Sequence, residues 1–145
     1  MEQIKFYNQE HENFYKEHTE SEKLDSYNKS LIYLLGLTEE TRNNFNQLYN
    51  EKTRQIELTG TTKGWQTGTS LAITKLAFNL FNGYCGLEDS EGRQYTVENI
   101  FCYKDYAPYF YESIKLRFNI QEQKSREQQE IENFINAEEK RNLQN

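Results

Sequence analysis

One segment combines residue types that could bind a ligand. In residues 64–70 the only tryptophan of the chain lies between two glycines, followed by amide and hydroxyl side chains and a predicted helix. Free N–H groups at a helix start bind anions, and an indole ring offers a flat surface for a base or a partner's side chain. The Gly-Lys-Ser/Thr sequence of a phosphate-binding loop is missing. Two interpretations remain: a binding surface, or a tryptophan that fills the core beside a capped helix. The candidates are Trp65, Gln66, Thr67, Thr69 and Ser70.

Four further polar residues are candidates for the same binding role. Arg42 and Asn43 lie at the start of a predicted helix, where Arg42 alternatively pairs with a residue three or four positions earlier in that helix. Asn79 and Asn82 interrupt an apolar helical run. A buried asparagine must be hydrogen-bonded, so these two either hold helices together or line a pocket. Further cations are supplied by Lys75, Arg93, Lys115 and Arg117.

The other reactive residue types do not form a recognisable site. The two histidines, His11 and His18, lie seven residues apart and therefore about 10 Å apart along a helix. The string that begins at His11 does not complete the zinc-protease pattern, and Cys85 and Cys102 lack zinc-finger spacing. We predict no catalytic residues, no metal and no cofactor. Both cysteines are predicted to be small buried apolar side chains.

Charge and composition exclude several classes of protein. The 145 residues include 17 Lys and Arg against 23 Asp and Glu, a net charge of −6. This argues against direct DNA binding, yet it falls short of the dense acidity of a DNA mimic. The longest apolar stretch, 31–35, is far shorter than the roughly 20 residues of a membrane span. With no secretory signal, we expect a cytoplasmic protein without a membrane partner.

The same composition predicts a mainly α fold with a core of leucine, isoleucine and aromatic rings, because valine occurs once and aromatic residues reach 14%. Helical periodicity extends over 8–18, 25–35, 38–49 and 69–82, with shorter helices from 96 and 108. The helix at 69–82 is apolar around most of its circumference, so we place it at the centre, capped by Thr69 or Ser70. The helix that begins near Pro108 should turn Phe110 and Ile114 inward, with Phe118 as a further candidate for the same face.

Short strands complete the predicted fold. Residues 54–58 favour a strand, and residues 88–92 are typical of a turn that joins two more. After Phe118 the composition becomes polar, with no apolar residue from 121 to 130. We therefore predict a compact helical domain over 1–118 and a polar C-terminal helix or tail over 119–145.

Several of these segments also occur together, in the same order, in a known family. Residues 3–118 resemble small proteins of unknown function from prophages and conjugative elements of low-GC Gram-positive and related bacteria. The similarity rests on 5–7 with His11, Phe14 and Tyr15, then 39–43, 64–69, 76–83, 107–112 and 114–117. The resemblance implies an accessory protein of a mobile element.

Small accessory proteins of that kind often neutralise host defence, which supplies the leading hypothesis. It is a non-enzymatic inhibitor of a bacterial immune system that binds a defence protein such as a CRISPR effector. One alternative is a protein that sequesters a nucleotide immune signal in a pocket formed by Arg42, Trp65 and residues 67–70. Another is a nucleotide hydrolase. Self-association into a homo-oligomer stays open.

Overall fold

Helices make up most of the structure, together with one small antiparallel hairpin. The computed structural model describes residues 3–20, 23–122 and 124–144. The strands β1 (Tyr49–Asn50) and β2 (Gln55–Ile56) pair with Tyr49 opposite Ile56, and 3₁₀ helices span Leu58–Thr62 and Asp89–Tyr95. The mainly α fold with a small hairpin and a C-terminal helix is therefore confirmed. The α-helices are α1 (Gln9–Thr19), α2 (Ser26–Leu35), α3 (Glu39–Asn43), α4 (Phe45–Leu48), α5 (Gly68–Asn82), α6 (Val97–Phe101), α7 (Ala107–Phe118) and α8 (Arg126–Gln144).

Side-chain caps explain where several helices begin. The Asn8 carboxamide accepts from the backbone N–H of His11, as predicted, and Thr38 and Thr96 cap α3 and α6 in the same way. Gly83 ends α5 with a φ of +81°, a left-handed conformation that glycine adopts without a steric penalty. These local signals are visible in the sequence because cap and helix are neighbours in the chain.

The most completely buried helix is α2, not α5 as the sequence predicts. Residues 30–38 are all buried, and the side chains of residues 31–35 are at most 1% exposed. Helices α5, α7 and α1 all pack against α2, with α5 and α7 making the most extensive contacts. Because α5 keeps one polar, half-exposed side at Lys75 and Asn79, it shares the centre with α2.

Two predicted elements differ where tertiary contacts override local pattern. The helix predicted over 38–49 is two short helices, and its last core residue, Tyr49, enters strand β1. There the Tyr49 hydroxyl donates to the buried Asn28 carboxamide. The segment 88–92 does not join two strands but belongs to the 3₁₀ helix Asp89–Tyr95.

Three further expectations are also wrong: those for the two cysteines, for Phe118 and for the residue that caps α5. Cys85 and Cys102 are exposed free thiols rather than buried apolar groups. Phe118 is 56% exposed because it is the last residue of α7, beyond the part of that helix that faces the core. Helix α5 is capped by Thr67, two residues before the predicted position.

The last helix, unlike the other long helices, contributes nothing to the buried core. Helix α8 is 19 residues long and has no buried residue. Gln123 and Asn145, which belong to the predicted tail, lie outside the described residues. No helix in the part of the chain that the structure describes is long and apolar enough to cross a membrane.

A matched pair of glycines tests the packing of the Leu58–Thr62 turn. A Cβ on the buried Gly60 would lie 2.5 Å from Leu48 Cδ2 and 2.6 Å from the Gln47 carbonyl oxygen, whereas a Cβ on Gly64 would meet nothing within 4 Å. We expect Gly60→Ala to lower the free energy of unfolding by about 1–3 kcal/mol through overpacking. Gly64→Ala should leave it nearly unchanged. Urea denaturation measures both, and equal stabilities would contradict the packing shown.

Candidate functional site

The start of α5 and the residues just before it hold most of the predicted binding residues, and three of these, Gln66, Thr67 and Ser70, bond to one another. The Thr67 hydroxyl accepts from the Ser70 N–H at 3.1 Å, and the Ser70 hydroxyl accepts from the Thr67 N–H at 2.8 Å. This reciprocal capping box occupies the Ser70 backbone donor that an anion at the helix start would use. Ser70 itself is buried.

Gln66 extends this network to the preceding turn. Its amide nitrogen donates to the Gly60 carbonyl at 3.1 Å and to the Thr74 hydroxyl at 3.2 Å. Its carbonyl oxygen accepts from the Ser70 hydroxyl at 2.6 Å. The Gln66 side chain therefore joins α5 to the 3₁₀ helix before it, and its polar atoms have partners within the chain.

Trp65 has features of both interpretations. Its ring is partly buried and packs against the hydrophobic core, as a core-filling tryptophan would. Its indole N–H donates to the Gln47 side-chain oxygen at 2.9 Å, at the surface. One end of the ring therefore contributes to packing and the other reaches solvent.

Arg42 contributes to the fold in a way the sequence did not predict. Its guanidinium donates to the Gly36 carbonyl at 2.8 Å, just past the last residue of α2, rather than pairing within α3. A cation is favourable there because the carboxyl end of a helix carries partial negative charge.

His11 pairs with the same end of α2. Its Nε2 lies 2.7 Å from the Tyr33 carbonyl oxygen, and its Nδ1 accepts from the Tyr7 backbone N–H at 3.1 Å. These partners require the neutral ring with its proton on Nε2. Burial lowers the pKa of His11 from 6.5 to about 4; the Tyr33 carbonyl opposes that shift and the nearby Arg42 charge adds to it.

The remaining predicted residues lie apart from this group. The Asn79 amide donates to the Tyr84 carbonyl and the Asn82 oxygen accepts from the Tyr84 N–H, so both shape the chain after α5. Asn82 lies 15 residues after Thr67, about 20 Å along the helix. Thr69 lines a small surface cavity with residues 102–106, and Asn43 is exposed on α3. The structure thus joins Gln66, Thr67 and Ser70 by hydrogen bonds and gives the other candidates different partners or surroundings.

Of the four further cations named from the sequence, two bond to groups of the fold and two line a cleft. The Arg117 guanidinium donates to the Leu80 carbonyl at 2.7 Å and lies 3.5 Å above the Tyr27 ring, and Lys115 pairs with Glu112 at 3.0 Å. Lys75 and Arg93 line a cleft beside α5. The other polar residues of this cleft come from separate elements and share no spacing in the sequence, so no sequence pattern marks them.

The comparisons with known proteins place the chain in a family. A family model described as "Family of unknown function (DUF6075)" matches residues 1–130. The chain belongs to this family. The DUF6075 match covers α1 to α7 and the first turn of α8, so it includes every candidate residue discussed above. No curated protein and no solved structure matches the chain.

The buried His11 predicts a specific loss of stability in acid. Because its pKa is about 4 in the folded chain and 6.5 when unfolded, the unfolded state binds the proton more readily. The stabilisation is complete above the unfolded pKa and is lost as the pH falls toward the folded one. We expect about 2 kcal/mol of this loss between neutral pH and pH near 5.

Urea denaturation across that pH range measures the effect, with His11→Gln as the comparison. The glutamine amide can still donate to the Tyr33 carbonyl but does not titrate, so the variant should lose less stability in acid. The carboxylates titrate in both proteins, so parallel pH profiles would contradict the role assigned to His11.

Urea denaturation also tests whether Trp65 and Arg42 stabilise the fold. Trp65→Ala removes a partly buried ring, and Arg42→Ala removes a charged donor from a helix end. Each should lower the free energy of unfolding by about 1–3 kcal/mol. Arg126→Ala is the control, because that side chain is 94% exposed. A variant with wild-type stability would mean that its side chain is free to serve a binding surface.

Proposed function

We propose that the chain is a non-enzymatic accessory protein of a phage or other mobile element, and that it inhibits a bacterial immune system in the host cytoplasm. It does so by binding a defence protein such as a CRISPR effector, with α8 as the docking element. The mobile-element context comes from the family resemblance, and the docking role comes from the surface of α8.

The exposed apolar face of α8 is the observation that carries this proposal. Ile131, Phe134 and Ile135 are 55%, 64% and 50% exposed. Their spacing of three and four residues places them side by side on one face, which we term the α8 patch. An amphipathic helix with such a face is typical of binding into an apolar groove on a partner. Phe134 supplies the aromatic anchor that such interfaces favour.

The charges around the patch favour a basic partner. Helix α8 contains five glutamates and three basic residues, a net charge of −2, and the whole chain carries −6. CRISPR effectors hold their nucleic acid in positively charged channels. An acidic helix with an apolar patch complements a groove of that kind without the charge density of a DNA mimic.

Binding rather than catalysis is also consistent with how the histidines are used. Both ring nitrogens of His11 contact backbone groups, and His18 Nδ1 lies 3.2 Å from the Glu51 carboxylate. Within residues 3–20, 23–122 and 124–144, no group of three or more His, Cys, Asp or Glu side chains could hold a metal.

Replacing an apolar side chain by a charged one tests the α8 patch. Phe134→Asp should weaken inhibition about tenfold or more, because an aromatic anchor at an interface centre often carries that much binding energy. The measurement is target-DNA binding and cleavage by purified RNA-guided nucleases from low-GC Gram-positive bacteria, titrated with the full-length chain. Melting temperature should not change, because Phe134 is mostly exposed.

Leu143→Asp is the matched control on the same helix. Leu143 is 87% exposed and lies nine residues, or two and a half turns, after Phe134, so these two side chains point in opposite directions from the helix axis. The Leu143→Asp substitution adds the same negative charge as Phe134→Asp and should leave inhibition unchanged. If the wild-type chain inhibits none of the nucleases, or if both variants inhibit equally, the proposed function is wrong.

A further inference from the structure

A cleft beside the start of α5 has the size of a small-molecule site. It has a volume of about 460 Å³ and lies between α5, the 3₁₀ helix Asp89–Tyr95 and α6. Leu71, Ala72 and Tyr103 form an apolar wall, and Lys75 and Arg93 also line the cleft. We term it the α5 cleft. Pockets that hold drug-sized ligands combine such an apolar wall with a few polar groups in the same size range.

Lys75 brings a positive charge into the cleft, and no carboxylate of the described residues lies within ion-pair distance of it. Its ammonium donates to the Gln94 side-chain oxygen and lies 5.8 Å from the centre of the Tyr95 ring. Partial burial lowers the pKa of Lys75, and the Glu91 charge opposes that shift from longer range. In the part of the chain that the structure describes, Lys75 makes no ion pair. A partly desolvated cation with neutral partners leaves its charge available to an anion.

Arg93 supplies a second cation at the same cleft. Its carbonyl oxygen accepts from the Asn99 side-chain amide and from the Thr96 hydroxyl, and these two bonds hold its backbone in place. Its side chain is exposed and makes no ion pair with any described residue. A guanidinium can bind a phosphate group through two parallel hydrogen bonds.

Tyr103 closes the cleft next to the start of α5. Its hydroxyl lies 2.9 Å from the position that a Cβ on Gly68 would take, so any larger residue at position 68 would make the Tyr103 side chain shift. The ring of Tyr103 and the side chains of Leu71 and Ala72 together form the apolar part of the lining. A planar ring could pack there while a charged group reaches the cations.

We infer that the α5 cleft binds a phosphate-bearing small molecule that also carries a ring, of the nucleoside monophosphate class. Lys75 and Arg93 take the phosphate, and the wall formed by Leu71, Ala72 and Tyr103 takes the ring. This site does not use Arg42 or Trp65. It is also independent of the α8 patch and of the proposed protein-binding function.

Titration with adenosine monophosphate at low salt tests the inference, followed by calorimetry and by backbone amide chemical shifts. Shift changes should cluster at the start of α5 and in residues 89–103. Adenosine and inorganic phosphate, used as separate probes, should each bind more weakly than the nucleotide. Lys75→Met and Arg93→Gln should each weaken nucleotide binding about tenfold or more, since each removes a charged donor.

The controls separate a built site from general charge attraction. Lys52→Met removes an exposed cation in the hairpin turn, far along the chain from the cleft, and should bind the nucleotide as the wild type does. Lys75→Met should fold normally because it replaces a partly buried charge by an apolar side chain of similar length, and its melting temperature verifies this. Phe134→Asp should also bind normally, so failure of the α8 proposal would not affect this result.

Three outcomes would overturn the inference. The first is no shift change at the cleft with millimolar nucleotide. The second is equal weakening by Lys75→Met and Lys52→Met. The third is an affinity for inorganic phosphate equal to that for the nucleotide, which would remove the ring from the assignment.

Discussion

The carboxyl end of α2 lies inside the protein, and its carbonyl groups must find partners there. Gly36, Leu37 and Thr38 continue the buried run of α2, so these carbonyls cannot rely on water. The Gly36 and Leu37 N–H groups reach back to Ile32 and Leu34, His11 donates to Tyr33, and Arg42 donates to Gly36. An unpaired buried carbonyl would cost about 1–3 kcal/mol. This requirement positions α1 through His11 and α3 through Arg42.

The same requirement determines which reactive side chains remain available for function. A neutral buried histidine and an arginine bonded to a helix end serve the fold, although their residue types also suit catalysis or anion binding. Arg117 repeats the pattern at α5, where it donates to the Leu80 carbonyl. Lys75 and Arg93, by contrast, donate to no helix-end carbonyl among the described residues, and both line the α5 cleft.

Helix α8 differs from the other long helices because it buries none of its residues. It has no buried side chain, and what supports it is local: Arg126 pairs with Glu130, and Arg141 pairs with Glu138. Such exposed pairs contribute only a few tenths of a kcal/mol each. In proteins, most of the stability of a helix comes from packing its apolar face against other elements. Burial of the α8 patch against a partner would supply the apolar contact that this helix lacks on its own.

Much of the fold could be predicted from the sequence because its signals are local. Asn8, Thr38, Thr96 and Gly83 act on backbone groups within a few residues, so the caps that they form follow from chain order alone. The same holds for the mainly α composition and for the polar C-terminal helix. The predicted cluster at residues 65–70 is also local, and within it the structure joins Gln66, Thr67 and Ser70 by hydrogen bonds.

Only the tertiary structure decided what the individual side chains do. Whether Arg42 pairs within its helix or with Gly36 depends on where α2 ends, and the burial of His11 depends on how α1 packs against α2. The exposure of Cys85 and Cys102 likewise follows from the surface positions of the segments that carry them. The α5 cleft joins residues up to 35 positions apart, from Gly68 to Tyr103. A sequence determines which groups a chain carries, but desolvation and pairing depend on neighbours that only folding brings together.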